Sequence, residues 1–180
     1  MLRDWRTVLR GVVGTEIYIR GHERGGMREV SASRTIDATE RELRRWLEPA
    51  TIVEAEGSFD VVAVEDGERS GDVRADRVSA SDLDPGETIV IASGPGMRLP
   101  LRFEQREGTI YYTQEGERGP FDHMETWIDL EPESGGTRTE LTIRSAVSLS
   151  APLPFGDRIA AWKRNSELER TLEAAVDEFA

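Results

Sequence analysis

The chain has 180 residues, enough for one domain with a real core, and 37% of them are hydrophobic against 32% charged. It has no cysteine, which excludes disulfides and thiolate metal sites. Asp and Glu number 35 against 23 Lys and Arg, a formal charge of -12, and with no basic cluster this argues against a nucleic-acid partner.

The two histidines, His22 and His123, are far apart in sequence and neither has an H-x-x-x-H partner, so no metal site is expected. No apolar run approaches the roughly 18–20 residues that span a bilayer. Arg3, Asp4, Arg6 and Arg10 also interrupt the apolar stretch that a signal peptide needs. The expectation is a soluble, cytoplasmic protein with no integral membrane association. Lys163 is the only lysine. An acidic, lysine-poor surface suits a halophilic protein, whose carboxylates stay hydrated while molar salt screens their repulsion. Arginine codon bias in a GC-rich genome gives the same pattern.

Residues 1–26 stand apart. Arg3, Arg6, Arg10, Arg20 and Arg24 outnumber Asp4, Glu16 and Glu23, a local charge of +2 that leaves -14 for residues 27–180. Leu2, Trp5, Leu9, Val12 and Val13 fall at helical spacing and predict a short amphipathic helix. Such a helix suits a membrane surface or a partner; the alternative is a loosely packed, dispensable extension ahead of Met27, with Gly25-Gly26 as the boundary.

From Met27 onward the pattern is regular. Residues 28–37 predict a first strand. Thr39-x-x-Glu42 is a capping box that opens a short helix with Leu43, Trp46 and Leu47 on its apolar face, closed by Pro49. Further strands are predicted at 56–65, 87–93, 97–106, 109–115, 121–131 and 137–149. Between them lie Glu65-Asp66-Gly67, Gly94-Pro95-Gly96, Glu107-Gly108, Gly116 to Pro120 and Ser134-Gly135-Gly136. Short turns between consecutive strands mean an antiparallel meander. The polar interval 68–86, with Asp72, Asp76, Asp82, Asp84 and Pro85, reads as a surface loop.

Alternation assigns the faces. Met97, Leu99, Leu101 and Phe103 point one way and Arg98, Arg102 and Glu104 the other. Leu141, Ile143, Ser145, Val147 and Leu149 oppose Thr142 and Arg144. Met124, Thr126, Ile128 and Leu130 oppose Asp122, Glu125 and Asp129, which puts Trp127 outside. One dry face needs a cover. After Pro152 and Pro154 about 25 residues of helical pattern run to Phe179, with Trp162, Leu168, Leu172, Val176 and Phe179 as the apolar stripe. The fold class is α+β, a helix-grip: a seven-stranded curved antiparallel sheet around a long C-terminal helix, with a short helix after the first strand.

This order of elements resembles the START-like (SRPBCC) superfamily of polyketide cyclase/dehydrase-like proteins. Ser33-Arg34-Thr35-Ile36-Asp37-Ala38, leading into Glu42-Leu43-x-x-Trp46-Leu47, is similar to the family's opening strand and helix. Gly135-Gly136-Thr137-Arg138-Thr139-Glu140-Leu141 is similar to its approach to the last strand, and Ala160-Ala161-Trp162-Lys163-Arg164 to haloarchaeal members. The likeness covers 27–180, the expected ligand-binding domain. It implies a cavity for a small apolar or amphipathic molecule such as a lipid, a polyketide or an aromatic metabolite. One departure is that Thr51-Ile52-Val53 runs almost at once into a strand where the family has a second helical stretch, which implies a more open mouth.

Polar residues facing a dry cavity carry the most information, since burial must be compensated by hydrogen bonds. Asn165 and Glu169 project beside the helical stripe, where Glu169 is either a raised-pKa acid or base or pairs with Arg170 or Arg138. Of Tyr111 and Tyr112 one must face inward, to meet a ligand carbonyl or enol, or to sit at the rim with a wet hydroxyl. Ser145 and Thr126 hydrogen-bond either a ligand or backbone. His123 falls on the solvent side, and Arg98, Arg102 and Arg144 form an outer-face ladder with acids. Gly94-Pro95-Gly96 is too short to cradle a phosphate.

The expected ligand contacts are Leu99, Leu101, Phe103, Tyr112, Met124, Ile128, Ile143, Ser145, Trp162, Asn165, Glu169 and Leu172. No residue is assigned a catalytic role, and no cofactor or metal is expected. The leading function is non-catalytic binding or carriage of a small hydrophobic ligand, by a monomer or a homo-oligomer. The rivals are a cyclase, dehydratase or aromatase using the same cavity, and an interaction module with a packed interior.

Overall fold

The computed structural model describes residues 7–10, 16–20, 27–66, 83–94, 96–116, 121–149 and 156–180, with the backbone alone for 7–10, 16–20 and 156–158. The loop expected over 68–86 lies outside the described residues as far as residue 82; its end is a turn at Pro85-Gly86.

The expected seven strands are present: β3 (Arg28–Ile36), β4 (Asp60–Asp66), β5 (Thr88–Gly94), β6 (Met97–Arg106), β7 (Thr109–Gln114), β8 (Phe121–Pro132) and β9 (Thr139–Leu149). All pairings are antiparallel, β4 to β9 forming a meander that β3 joins at β9. Glu107 and Gly108, both at positive φ (51° and 93°), make the two-residue turn between β6 and β7, whose twist matches the flanking strands.

Two corrections concern the N-terminal half. The amphipathic helix expected within residues 1–26 is not formed at its described positions. Thr7–Arg10 is strand β1 and Glu16–Arg20 is strand β2, which pairs with the free edge of β3 and extends the sheet to nine strands in the order β1-β2-β3-β9-β8-β7-β6-β5-β4. The physical reason is local: these segments carry Val8, Ile17, Tyr18 and Ile19, β-branched and aromatic residues that favour a pleated surface, and an unpaired edge was available to them.

Second, Thr51-Ile52-Val53 belongs to a helix, not to the approach of a strand. Helix α1 (Glu40–Trp46) carries the complete Thr39–Glu42 capping box, and Pro49 both ends it and supplies the first turn of α2 (Pro49–Glu56). Proline suits that position because its missing N–H would be unpaired there in any case. Gly57, at φ 67°, closes α2 in the left-handed conformation. The expected gap beside the cavity mouth is therefore filled by helix.

Helix α3 (Gly156–Glu178) lies across the dry face against β3, β9 and α2. Among its described side chains the buried positions are Ala161, Arg164, Glu167, Leu168, Thr171, Leu172 and Ala175. Trp162, expected on the inward stripe, is 72% exposed. At 100° per residue it lies 120° around the helix from Leu168, so the stripe set by Leu168 and Leu172 passes through Arg164 instead. The strand faces follow the expected alternation: Leu99, Leu101, Phe103, Ile128, Leu141, Ile143, Ser145 and Val147 are buried. A register shift between Phe121 and His123 resets the parity of β8, which is why Asp122 faces out although it shares the parity of Met124.

Candidate functional site

Between α3 and the sheet lies a cavity of about 260 Å³. Its inner walls are Leu99 and Leu101 of β6, Tyr112 of β7 and Met124 of β8, all buried. Its mouth is marked by the exposed members of the lining, Met97, Ile159 and Lys163. Phe59 closes one side, and Gly94 allows its approach: a Cβ on Gly94 would stand 2.6 Å from the Phe59 ring. A larger depression of about 680 Å³ beside Gly57, Asp60 and Ser93 is open and mainly polar, and has no comparable apolar walls.

The inner end of the cavity carries charge. Arg164 of α3, with only 4% of its side chain exposed, donates from Nε to Ser145 Oγ (3.0 Å), from Nη1 to Glu167 Oε2 (2.9 Å), and from Nη2 to Glu56 Oε1 (2.8 Å) and Thr126 Oγ1 (3.0 Å). Nη2 also donates to the Tyr112 hydroxyl, which in turn donates to Glu56 Oε1. Burial disfavours the charged guanidinium, but Glu56, Tyr112 and Glu167 more than reverse this and hold Arg164 protonated well above the ordinary arginine range. Burial likewise pushes the Tyr112 phenol up; the Arg164 charge opposes this and the carboxylate of Glu56 adds to it. Ser58 Oγ donates to Glu167 Oε1, and Arg170 Nε donates to the Glu56 carbonyl oxygen (2.6 Å), so the end of α2 is tied to α3.

The twelve expected ligand contacts divide accordingly. Leu99, Leu101, Tyr112 and Met124 line the cavity. Phe103 lies behind it, stacked on Tyr112 with ring centroids 4.5 Å apart. Ile128, Ile143 and Leu172 are buried in the surrounding core. Ser145 meets Arg164 and also donates to the Glu125 carbonyl oxygen. Asn165 and Glu169 are half-buried and bond each other at 2.9 Å, four residues apart on α3 and away from the lining, so Glu169 pairs neither with Arg170 nor with Arg138. Trp162 stands in solvent. Tyr112 is the inward tyrosine and its hydroxyl is dry, not a wet rim group.

On the outer face, Tyr111 donates to Glu125 and lies under the Arg106 guanidinium, and His123 bonds Glu125. Burial and the Glu125 carboxylate push the Tyr111 phenol up to about 12. Arg102 bridges Glu87 and Glu115, and Arg144 pairs with Asp129, as expected, but Arg98, the third member of the expected ladder, forms no ion pair among the described residues.

Glu56, Arg164 and Glu167 were missed by sequence reasoning. The signal of Arg164 and Glu167 was present in α3, where Ala161, Arg164, Leu168, Thr171 and Ala175 share a face, whereas Glu56 ends α2 in a segment expected to be strand. Three small or short-chained residues on that face made it look less apolar than the stripe through Trp162.

No family model and no curated protein matches the sequence. Solved structures do. A STAR-related lipid transfer protein from Xanthomonas axonopodis superposes with TM-score 0.62 and 17% identity, over 97% of this chain and 98% of that one. A START superfamily protein from Mycobacterium smegmatis gives 0.57 and 14%, over 86% and 97%. Human StAR-related lipid transfer protein 5 gives 0.56 and 15%, over 97% and 87%. The fold of this chain, with its helix laid over an antiparallel sheet, is the START-like helix-grip fold.

Proposed function

We propose that the chain binds or carries a small apolar or amphipathic molecule in the space between the sheet and α3, without chemically changing it. The observation that carries this reading is the 260 Å³ cavity with apolar walls and a polar inner end. Well-packed interiors leave few voids larger than a water molecule, and apolar walls with a few convergent polar groups are the ordinary make-up of ligand sites. The lipid-transfer proteins among the similar structures support the same class of ligand. A small aromatic metabolite, or a ligand the size of a short stretch of lipid or polyketide, fits these walls. The setting is that of a halophilic protein, supported by the charge of -12 and the single lysine. No helix among the described residues is long and apolar enough to cross a membrane.

The test is native mass spectrometry of protein purified from its own host, with Leu101→Trp as the comparison. A small molecule should travel with the wild-type chain. It should be absent from the variant, whose added indole fills the cavity, provided circular dichroism shows the fold retained. A wild-type protein that neither carries such a molecule nor takes up apolar probes overturns the reading.

A further inference from the structure

We propose that the cavity selects apolar ligands that end in a hydrogen-bond donor, an alcohol or a protonated amine, and discriminates against free carboxylates; this rests on the ligand-binding reading above. The inner end sets two carboxylates, Glu56 and Glu167, against the single guanidinium of Arg164. That guanidinium is largely committed: Nε, Nη1 and Nη2 all donate to protein acceptors, which engages four of its five N–H groups. Glu167 is committed as well, with Ser58 on one oxygen and Arg164 on the other.

Glu56 differs. Tyr112 and Arg164 both donate to its Oε1, and among the described residues no group donates to its second carboxylate oxygen. Glu56 lines the cavity, so the inner end offers an incoming head group an acceptor that carries negative charge.

Two further cations lie nearby, and neither changes this polarity. Lys163 is at the mouth, 3.7 Å from Glu167 with 59% of its side chain exposed. Arg170 is exposed and donates from Nε to the Glu56 carbonyl oxygen and from Nη2 to Ser58 Oγ. A ligand carboxylate that reached the inner end would meet two carboxylates against one guanidinium that both already engage, an arrangement that rejects partners effectively. A hydroxyl or ammonium would complete the free acceptor of Glu56.

The volume bounds the size. An apolar cavity of about 150 Å³ accepts benzene, so about 260 Å³ accepts a ligand of about ten non-hydrogen atoms. Octanol, octylamine and octanoate fit this limit and differ only at the head.

The experiment is calorimetric titration of the purified full chain with each of the three, in about 0.5 M KCl to screen the overall charge of the protein. Octylamine and octanoate both carry a charge into the cavity, so their ratio isolates its sign. Octylamine and octanol should bind about tenfold or more tightly than octanoate, and Glu56→Gln should narrow the octylamine-to-octanoate ratio to about threefold or less. Octanoate binding as tightly as octylamine to the wild-type chain overturns the proposal, with its carboxylate then held at the mouth if Lys163→Gln removes it. A wild-type preference that Glu56→Gln leaves intact also overturns it. Binding of none of the three overturns the ligand-binding reading itself, whereas equal binding of all three overturns only the choice of head group. Should Glu56→Gln fail to fold, the wild-type ratio decides.

Discussion

Arg164 concentrates more hydrogen bonding than any other described side chain, and the physics of buried charge says how it will behave when disturbed. Its removal strands Glu56 and Glu167, each with about 8% of its side chain exposed, without their cation. Breaking such an arrangement from one side costs about 3–5 kcal/mol. Arg164→Met should therefore lower stability by that amount in chemical denaturation. Replacing all three together with apolar residues of similar size should cost distinctly less, because no charge is then left buried alone. If the single and triple variants are equally destabilised, the cluster is not acting through charge. The tyrosines supply a second test at this scale. Tyr111 rises from an ordinary value of 10.0 to about 12, and Tyr112 is also raised. A phenol whose folded pKa lies above its unfolded one stabilises the fold fully below the unfolded value and loses that contribution as pH climbs through the folded one. Stability should thus fall between about pH 10 and 12, and tyrosinate absorbance should show two of the three tyrosines ionising late or only on unfolding.

Helix α3 shows both what periodicity reveals and where it misleads. Its existence and length follow from a long run of helical pattern after two prolines, and its ends were placed within a residue or two. Its phase at the N-terminal half was not legible, because Trp162 outweighs Ala161 and Thr171 in any reading that scores apolar size. Burial is set by angle around the axis, and small residues fit closest where a helix lies against a sheet. Leu168→Ala should therefore cost about 2–5 kcal/mol, the range for a fully buried leucine, while Trp162→Ala should stay within about 0.5 kcal/mol of wild type. Equal losses would return Trp162 to the interior. The strands were read more securely than the helix because their period of two leaves only two phases to choose between, and one charged residue settles the choice. The bulges at Val61 to Ala63 and at Phe121 to His123 are the exceptions, and the second is marked by Asp122, charged yet of the same parity as Met124. The strands β1 and β2 were hidden for another reason: apolar residues at helical spacing over a short basic segment satisfy both patterns, and only the presence of the free β3 edge decides between them. A chain beginning at Met27 would bare that edge along the register from Glu29 to Ser33. Exposed edges invite pairing with another copy, so sedimentation should show concentration-dependent association that the full chain lacks.

Charge acts on the whole molecule. The chain carries -12 in total and -14 over residues 27–180, net of all its arginines and its one lysine. The ion pairs on the sheet's outer face consume some of this locally, as Arg102 does with Glu87 and Glu115, but the excess of carboxylates remains and repels itself. Repulsion over a molecule of this size depends on the screening length, about 30 Å at 0.01 M salt and about 3 Å at 1 M. At the lower concentration nearly every surface carboxylate feels the others; at the higher, only immediate neighbours do. The melting temperature should therefore rise steeply as KCl goes from about 0.01 to 1 M. Chloride is a weak agent of apolar burial whereas sulfate strengthens it, so a gain seen with KCl isolates the screening contribution, and a further gain in potassium sulfate at equal ionic strength measures the burial contribution. The buried cluster around Arg164 is shielded from mobile ions, which predicts that Arg164→Met keeps the wild-type salt slope while starting from a lower stability. A melting temperature that stays flat in KCl and climbs only in sulfate would show that the surface charge is already balanced by its local pairs, and that the scarcity of lysine has no bearing on how the fold is held.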